Sequence, residues 1–140
     1  MADYTITPED VLPPTGDVGI AVAAGDAIPV GQWVAYDPED SNRLALADTT
    51  DLPTVLGITV SASAAEGQPC CVAQQGEVTV GEIFLGAGYI VVLSDTAGGM
   101  KPVEDLANDE YVTILGYSTD TDKMMVQIIN TGQQLVVPAP

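Results

Sequence analysis

The chain has 140 residues, of which 46% are hydrophobic and 16% are charged, a balance that predicts one folded domain and excludes disorder caused by low hydrophobicity. It carries 20 acidic and 3 basic residues, and the resulting net charge of −17 excludes direct binding to nucleic acid and to anionic membranes. Histidine is absent, which excludes imidazole-based catalytic triads and the usual zinc sites.

The first 17 residues differ from the rest of the chain. They contain three prolines and four larger apolar side chains, namely Pro8, Pro13, Pro14, Tyr4, Ile6, Val11 and Leu12. Four such side chains are too few to form a core, so we expect residues 1–17 to be an extended arm beside a single β-domain of residues 18–140. The N-terminus lacks a basic region followed by an apolar run, so we also expect synthesis in the cytoplasm without secretion or anchoring.

From residue 18 onward, short apolar stretches alternate with turn signals, often at intervals near ten residues. The clearest strand candidates, rich in β-branched and aromatic residues, are 55–63, 78–85, 89–93, 111–117 and 124–129. This spacing predicts an all-β fold, a small sandwich or barrel of about ten short strands. The best helical segment, residues 103–108, is long enough for at most one short helical turn.

The two halves of the chain have similar patterns. Residues 34–37, 55–58 and 72–76 match residues 92–95, 114–117 and 128–132 in character, with offsets of 58, 59 and 56. The match predicts two similar β-units that pack face to face, although short strands also look alike without duplication. In both units a Leu-Gly step falls inside a strand, which predicts a bulge or a close backbone approach at Gly57 and Gly116.

Several residues that could carry chemistry are predicted to be buried core side chains instead. Cys70 and Cys71 are adjacent, so a bond between them would be strained, and we expect small apolar fillers with one thiol facing the core. The other expected core side chains are Trp33, Met100, Met124 and Met125.

Apolar and glycine-containing segments follow one another in a characteristic order. They are GQWVAYD (31–37), RLALA (43–47), VLGITVSA (55–62), GQ (67–68) leading to VAQQGEV (72–78), then residues 89–99, Pro102 and YVTILG (111–116). In this order the chain resembles the head-decoration, or cement, proteins of tailed bacteriophages, including the lambda head-stabilising type. The resemblance covers about residues 18–132.

The resemblance implies a structural virion protein that is not an enzyme and needs no cofactor. Such a protein sits on the capsid exterior as a homotrimer, binds the major capsid protein and reinforces the lattice. We expect the arm to be the main capsid-binding segment. Its capsid-binding residues are then Tyr4, Ile6, Pro8, Val11, Leu12, Pro13 and Pro14. Apolar and polar side chains alternate from Tyr4 to Thr7. This pattern allows the segment to pair as an extra strand with an exposed sheet edge of a capsid subunit, and Pro8 ends that strand. The strong acidity departs from the family pattern.

The alternative is a soluble acidic β-module that binds calcium or glycan. The loops Asp37–Asn42 and Asp120–Asp122 hold oxygen ligands at short spacing, but Asp and Asn are also ordinary turn residues. Glycan sites combine carboxylates with stacking aromatics, and this chain has only Trp33, Phe84 and five tyrosines. We therefore assign no metal ligand and no catalytic residue.

Overall fold

Ten strands form two antiparallel five-stranded sheets in the computed structural model, which describes residues 3–12, 20–50, 54–63 and 65–136. Sheet 1 contains β1 (Ile20–Ala23), β2 (Trp33–Asp37), β3 (Arg43–Leu46), β4 (Gly57–Thr59) and β5 (Pro69–Ala73). Sheet 2 contains β6 (Gln75–Thr79), β7 (Ile90–Leu93), β8 (Met100–Pro102), β9 (Tyr111–Ser118) and β10 (Lys123–Gln134). The predicted all-β fold is confirmed, as a sandwich rather than a closed barrel.

Both sheets have the same strand order. Sheet 1 runs β1-β5-β4-β2-β3 and sheet 2 runs β6-β10-β9-β7-β8, so each strand of the first has a counterpart five strands later. Val34 pairs with Gly57 in sheet 1, and Val91 pairs with Gly116 at the equivalent place in sheet 2. The two halves of the chain therefore share one topology, as the sequence pattern indicated.

Two of the three predicted correspondences between the halves need correction. The strand pairing within each sheet aligns residues 34–37 with residues 91–94, whereas the sequence pattern predicts residues 92–95. It also places Val72 level with Met124 rather than Ile128, because Val72 is opposite Thr59 and Met124 is opposite Ser118. The second shift arises because the connection between β9 and β10 is much shorter than the one between β4 and β5.

The main core lies between the sheets. It includes Trp33 and Ile58 from sheet 1 and Leu93, Met100, Leu115 and Met124 from sheet 2. Sheet 1 curls so that Ala24 bridges Leu44, and this curl encloses a second small core with Val34, Cys70 and Val72. Cys70 is buried and Cys71 is half-buried, both as free thiols, so one thiol faces the core as predicted. Burial raises the pKa of the Cys70 thiol.

Local structure differs from the sequence predictions in three places. Residues 80–85 are not strand, β4 is shorter than expected, and β10 continues to Gln134, beyond the predicted strand end at residue 129. The described residues contain three 3-10 turns rather than one: Pro8–Asp10, Pro38–Asp40 and Val103–Asp105. Within the described ranges, no helix is long and apolar enough to cross a membrane.

Candidate functional site

The described part of the arm, residues 3–12, joins the two edge strands of sheet 2. The main-chain N–H of Tyr4 donates to the carbonyl of Met100 in β8 (3.0 Å). At the other edge the N–H of Leu12 donates to the carbonyl of Thr79 in β6 (2.9 Å), and the N–H of Thr79 donates back (3.2 Å). The arm thus satisfies main-chain groups at both edges of this sheet.

Three of the four larger apolar side chains of this segment, those of Tyr4, Ile6 and Val11, point into the domain. The ring of Tyr4 packs edge-to-face on Phe84 with centroids 5.0 Å apart, and burial, followed by the charge of Glu104, raises the pKa of Tyr4. Ile6 packs against the main core, and Val11 is a core residue with 8% exposure. Residues 3–12 of the expected arm therefore lie against the β-domain.

The predicted capsid-binding residues are consequently divided into three groups. Tyr4, Ile6 and Val11 are partly or fully buried in their own domain. Pro8 and Leu12 are exposed, Leu12 by 56%. Pro13 and Pro14 lie outside the described residues. Tyr4, Ile6 and Val11 are too few for a core of their own, but they pack in or against the main core between the sheets. Capsid binding by this set stays a prediction.

Each of the three basic side chains lies in an ion pair. Arg43 contacts Glu66 and lies 3.9 Å from Asp40, and Lys123 lies 3.1 Å from Asp122. The ammonium of Lys101 donates to both carboxylate oxygens of Glu110, at 2.8 and 3.1 Å. Positive charge is therefore locally neutralised, and carboxylates dominate the remaining surface charge.

The Lys101–Glu110 pair is buried and connects several segments. Glu110 also accepts hydrogen bonds from the hydroxyl of Thr49 (2.9 Å) and the N–H of Ala107 (2.7 Å). Burial alone raises the pKa of Glu110, but the hydrogen bonds from Lys101, Ala107 and Thr49 outweigh it and hold the pKa below its usual value. The pair ties β8 to the loop that follows β3.

The acidic loops considered for calcium have turn-forming roles. In the first, Asp37 Oδ1 accepts the N–H of Glu39 (3.0 Å), and Ser41 and Asn42 adopt positive φ values. In the second, Asp120 accepts the N–H of Thr121 (2.8 Å). Within residues 3–12, 20–50, 54–63 and 65–136, no three acidic or cysteine side chains are grouped to hold a metal ion.

A groove of about 690 Å³ opens on sheet 2 beside β10. Its lining includes Tyr117, Met125 and three glutamines, Gln74, Gln75 and Gln127, and one wall comes from residues 55–56. Met125 is half-buried here rather than in the main core, which corrects its predicted position. The sequence reasoning missed this site, and the adjacent pair Gln74-Gln75 was the only local signal of it.

Comparisons with known proteins add no family assignment. No protein-family model matches the chain, and no curated protein matches its sequence. The functional conclusions therefore rest on the sequence pattern and on the geometry of the arm, the ion pairs and the groove.

Proposed function

We propose that this chain is a structural virion protein that binds the outside of a tailed-phage capsid and stabilises the lattice. Its partner is the major capsid protein, and it acts as a homotrimer. The resemblance in sequence supports this function, as does the all-β architecture that the resemblance implies. The observation that carries the proposal is the exposed side of the arm, where Pro8 and Leu12 face outward while Tyr4, Ile6 and Val11 pack into the domain.

An anchored arm is a favourable binding element. Its main chain is already hydrogen-bonded to the domain at Tyr4 and Leu12. The arm therefore loses less conformational entropy when a partner binds its outer side than a loose tail would lose. Leu12 offers an apolar contact next to residues 13–14, which are both proline. We therefore assign the capsid contact to Pro8, Leu12, Pro13 and Pro14, with Tyr4, Ile6 and Val11 holding the arm in place.

The sharpest test is a single change on the exposed side. Leu12→Asp keeps the main-chain bonds to Thr79 and leaves the core intact, so the variant should fold with normal circular dichroism. It should lose co-sedimentation with expanded empty capsids of the parent phage, because the change places a carboxylate in an apolar contact. Val136→Asp, which alters another exposed aliphatic residue far along the chain, is the matched control and should still bind. A Leu12→Asp variant that decorates capsids at full occupancy contradicts the proposal.

Trimer formation on the lattice belongs to the same proposal. A trimer engages three equivalent capsid contacts at once, and this avidity multiplies weak single contacts. A net charge of −17 per chain opposes self-association in free solution, most strongly at low salt. Light scattering at low and high salt, together with imaging of decorated particles, should show trimers on the capsid. Isolated single copies on the lattice would contradict this part of the proposal.

A further inference from the structure

We propose that the groove beside β10 binds a neutral oligosaccharide. Its volume of about 690 Å³ lies within the range of small-molecule sites, which is roughly 300–1,000 Å³. None of its eleven described lining residues belongs to the arm, so this activity is separate from the proposed capsid contact.

The groove is preformed by the local fold. β10 changes register against β9 between Val126 and Ile129, so Gln127 and Ile128 lie outside the regular ladder with β9. On the other side of β10, Gln127 still pairs with Gln75 of β6. The opposite wall is fixed by Asn130, whose amide oxygen accepts the N–H of Val55 (2.8 Å) and whose amide nitrogen donates to the carbonyl of Val55 (3.1 Å). A ligand therefore meets walls that are already connected to each other.

The chemistry of the lining favours an uncharged ligand rich in hydroxyl groups. None of the eleven described lining residues is charged, in a chain whose net charge is −17. Gln74, Gln75 and Gln127 are exposed, and each amide offers one acceptor and two donors, which match the paired donor and acceptor character of sugar hydroxyls.

Tyr117 and Met125 supply the apolar part of the site. They pair across β9 and β10, and Tyr117 is 39% exposed, so its ring is available to the C–H face of a sugar. The neighbouring acid on this face is Glu77, which pairs with Met125, and its carboxylate accepts the hydroxyl of Thr119 (2.9 Å). The surrounding negative charge disfavours anionic glycans.

The proposal is tested by titrating the uniformly ¹⁵N-labelled full chain with maltohexaose, cellohexaose and mannohexaose as probes. At least one of them should shift the side-chain amide signals of Gln74, Gln75 and Gln127. An oligomer of galacturonate, which is anionic, should leave them unchanged. Gln127→Ala should weaken binding about tenfold or more, which corresponds to the loss of one well-placed polar contact.

Gln133→Ala is the matched control, because Gln133 is an exposed glutamine of the same strand that does not line the groove. It should bind the sugar as the unmodified chain does. Unchanged amide signals at millimolar sugar, or equal affinities of the two variants, would overturn the proposal. So would a neutral peptide of glycine, serine and asparagine that shifts the same amides while the sugars do not. Capsid binding by the arm would be unaffected by any of these results.

Discussion

Glu110 lies where several charged and polar contacts converge. Its carboxylate is buried with the Lys101 ammonium and also accepts donors from Thr49 and Ala107. A buried carboxylate is tolerated only when such partners replace the lost water. Because the bonds favour its charged form, the folded chain holds Glu110 at a lower pKa than the unfolded chain does.

We predict that Glu110→Gln destabilises the fold by about 2 kcal/mol at pH 7, or roughly 6 °C in Tm. The contribution of Glu110 is complete above its unfolded pKa, near 4.5, and is lost as the pH falls through the lower folded pKa. The difference in Tm between the two proteins should therefore shrink at acidic pH. Glu104→Gln removes an exposed charge and serves as control. A Tm difference that grows as the pH falls would contradict this account.

Gly116 is constrained by the backbone beside it. Its φ is +153°, and a Cβ at this position would collide with the main-chain oxygen of Met125. Gly57 is in the same situation against the carbonyl of Ala73, which confirms the close backbone approach predicted at both Leu-Gly steps. Glycine is thus required at both positions by packing, and at Gly116 by φ as well.

We predict that Gly116→Ala lowers the free energy of unfolding by about 3 kcal/mol, because the strands β9 and β10 must separate to admit the methyl group. Gly86→Ala is the matched control, since a Cβ there meets no atom within 4 Å, and its effect should stay within about 0.5 kcal/mol. Urea unfolding of both variants measures the difference. Similar midpoints for the two would show that the backbone relaxes around the new methyl group.

At the scale of elements, the sequence is most informative where apolar periodicity and burial agree. β7 and β9 were predicted almost residue for residue, because their apolar side chains fill the main core. The two extra 3-10 turns both begin with Pro-Glu-Asp, where proline sets the first φ and acids favour the first turn, so this signal was present but overlooked. The predicted strand ends at residue 129, because polar residues and a glycine follow, but the pairing of β10 with β9 continues to Gln134.

The position of the arm on the domain is a feature that the local sequence pattern does not determine. The composition of the arm correctly indicated a segment that forms no core alone, but composition does not specify which surface its apolar side chains cover.

We predict that Val11→Ala destabilises the protein by about 1.5–2 kcal/mol, because two buried methyl groups are lost. Leu12→Ala, at the adjacent exposed position, should change stability by about 0.5 kcal/mol or less. Thermal unfolding of both variants provides the measurement.

Equal effects of these two substitutions would mean that the arm does not rest on the core in solution. The same reasoning applies to a deletion of residues 2–14 as a test of the arm. Such a deletion removes Tyr4, Ile6 and Val11 from the main core and exposes the sheet 2 edges at Met100 and Thr79. Loss of capsid binding in that variant would therefore not separate a binding defect from a folding defect, whereas Leu12→Asp does.

At the scale of the whole molecule, the duplicated topology explains why the fold was easier to predict than the groove. Similar strand patterns in the two halves are visible in the sequence, and they led to the two-unit architecture. The groove instead unites Gln75, Tyr117 and Gln127 through the strand order β6-β10-β9. No short-range sequence pattern encodes that strand order. The proximity of these three residues could therefore not be predicted from the sequence.

Net charge is the remaining property of the whole molecule, and it predicts how stability depends on salt. All three basic side chains are already paired, so the unbalanced carboxylates mainly repel one another in the folded state. We predict that Tm rises with sodium chloride, with most of the rise below 0.1 M, because the Debye length falls from about 30 Å at 0.01 M to about 10 Å at 0.1 M. Near the isoelectric point of about 4.1 the salt effect should be small, since the net charge is then close to zero. A Tm that falls steadily with added salt at pH 7 would mean that the ion pairs outweigh the repulsion among the carboxylates.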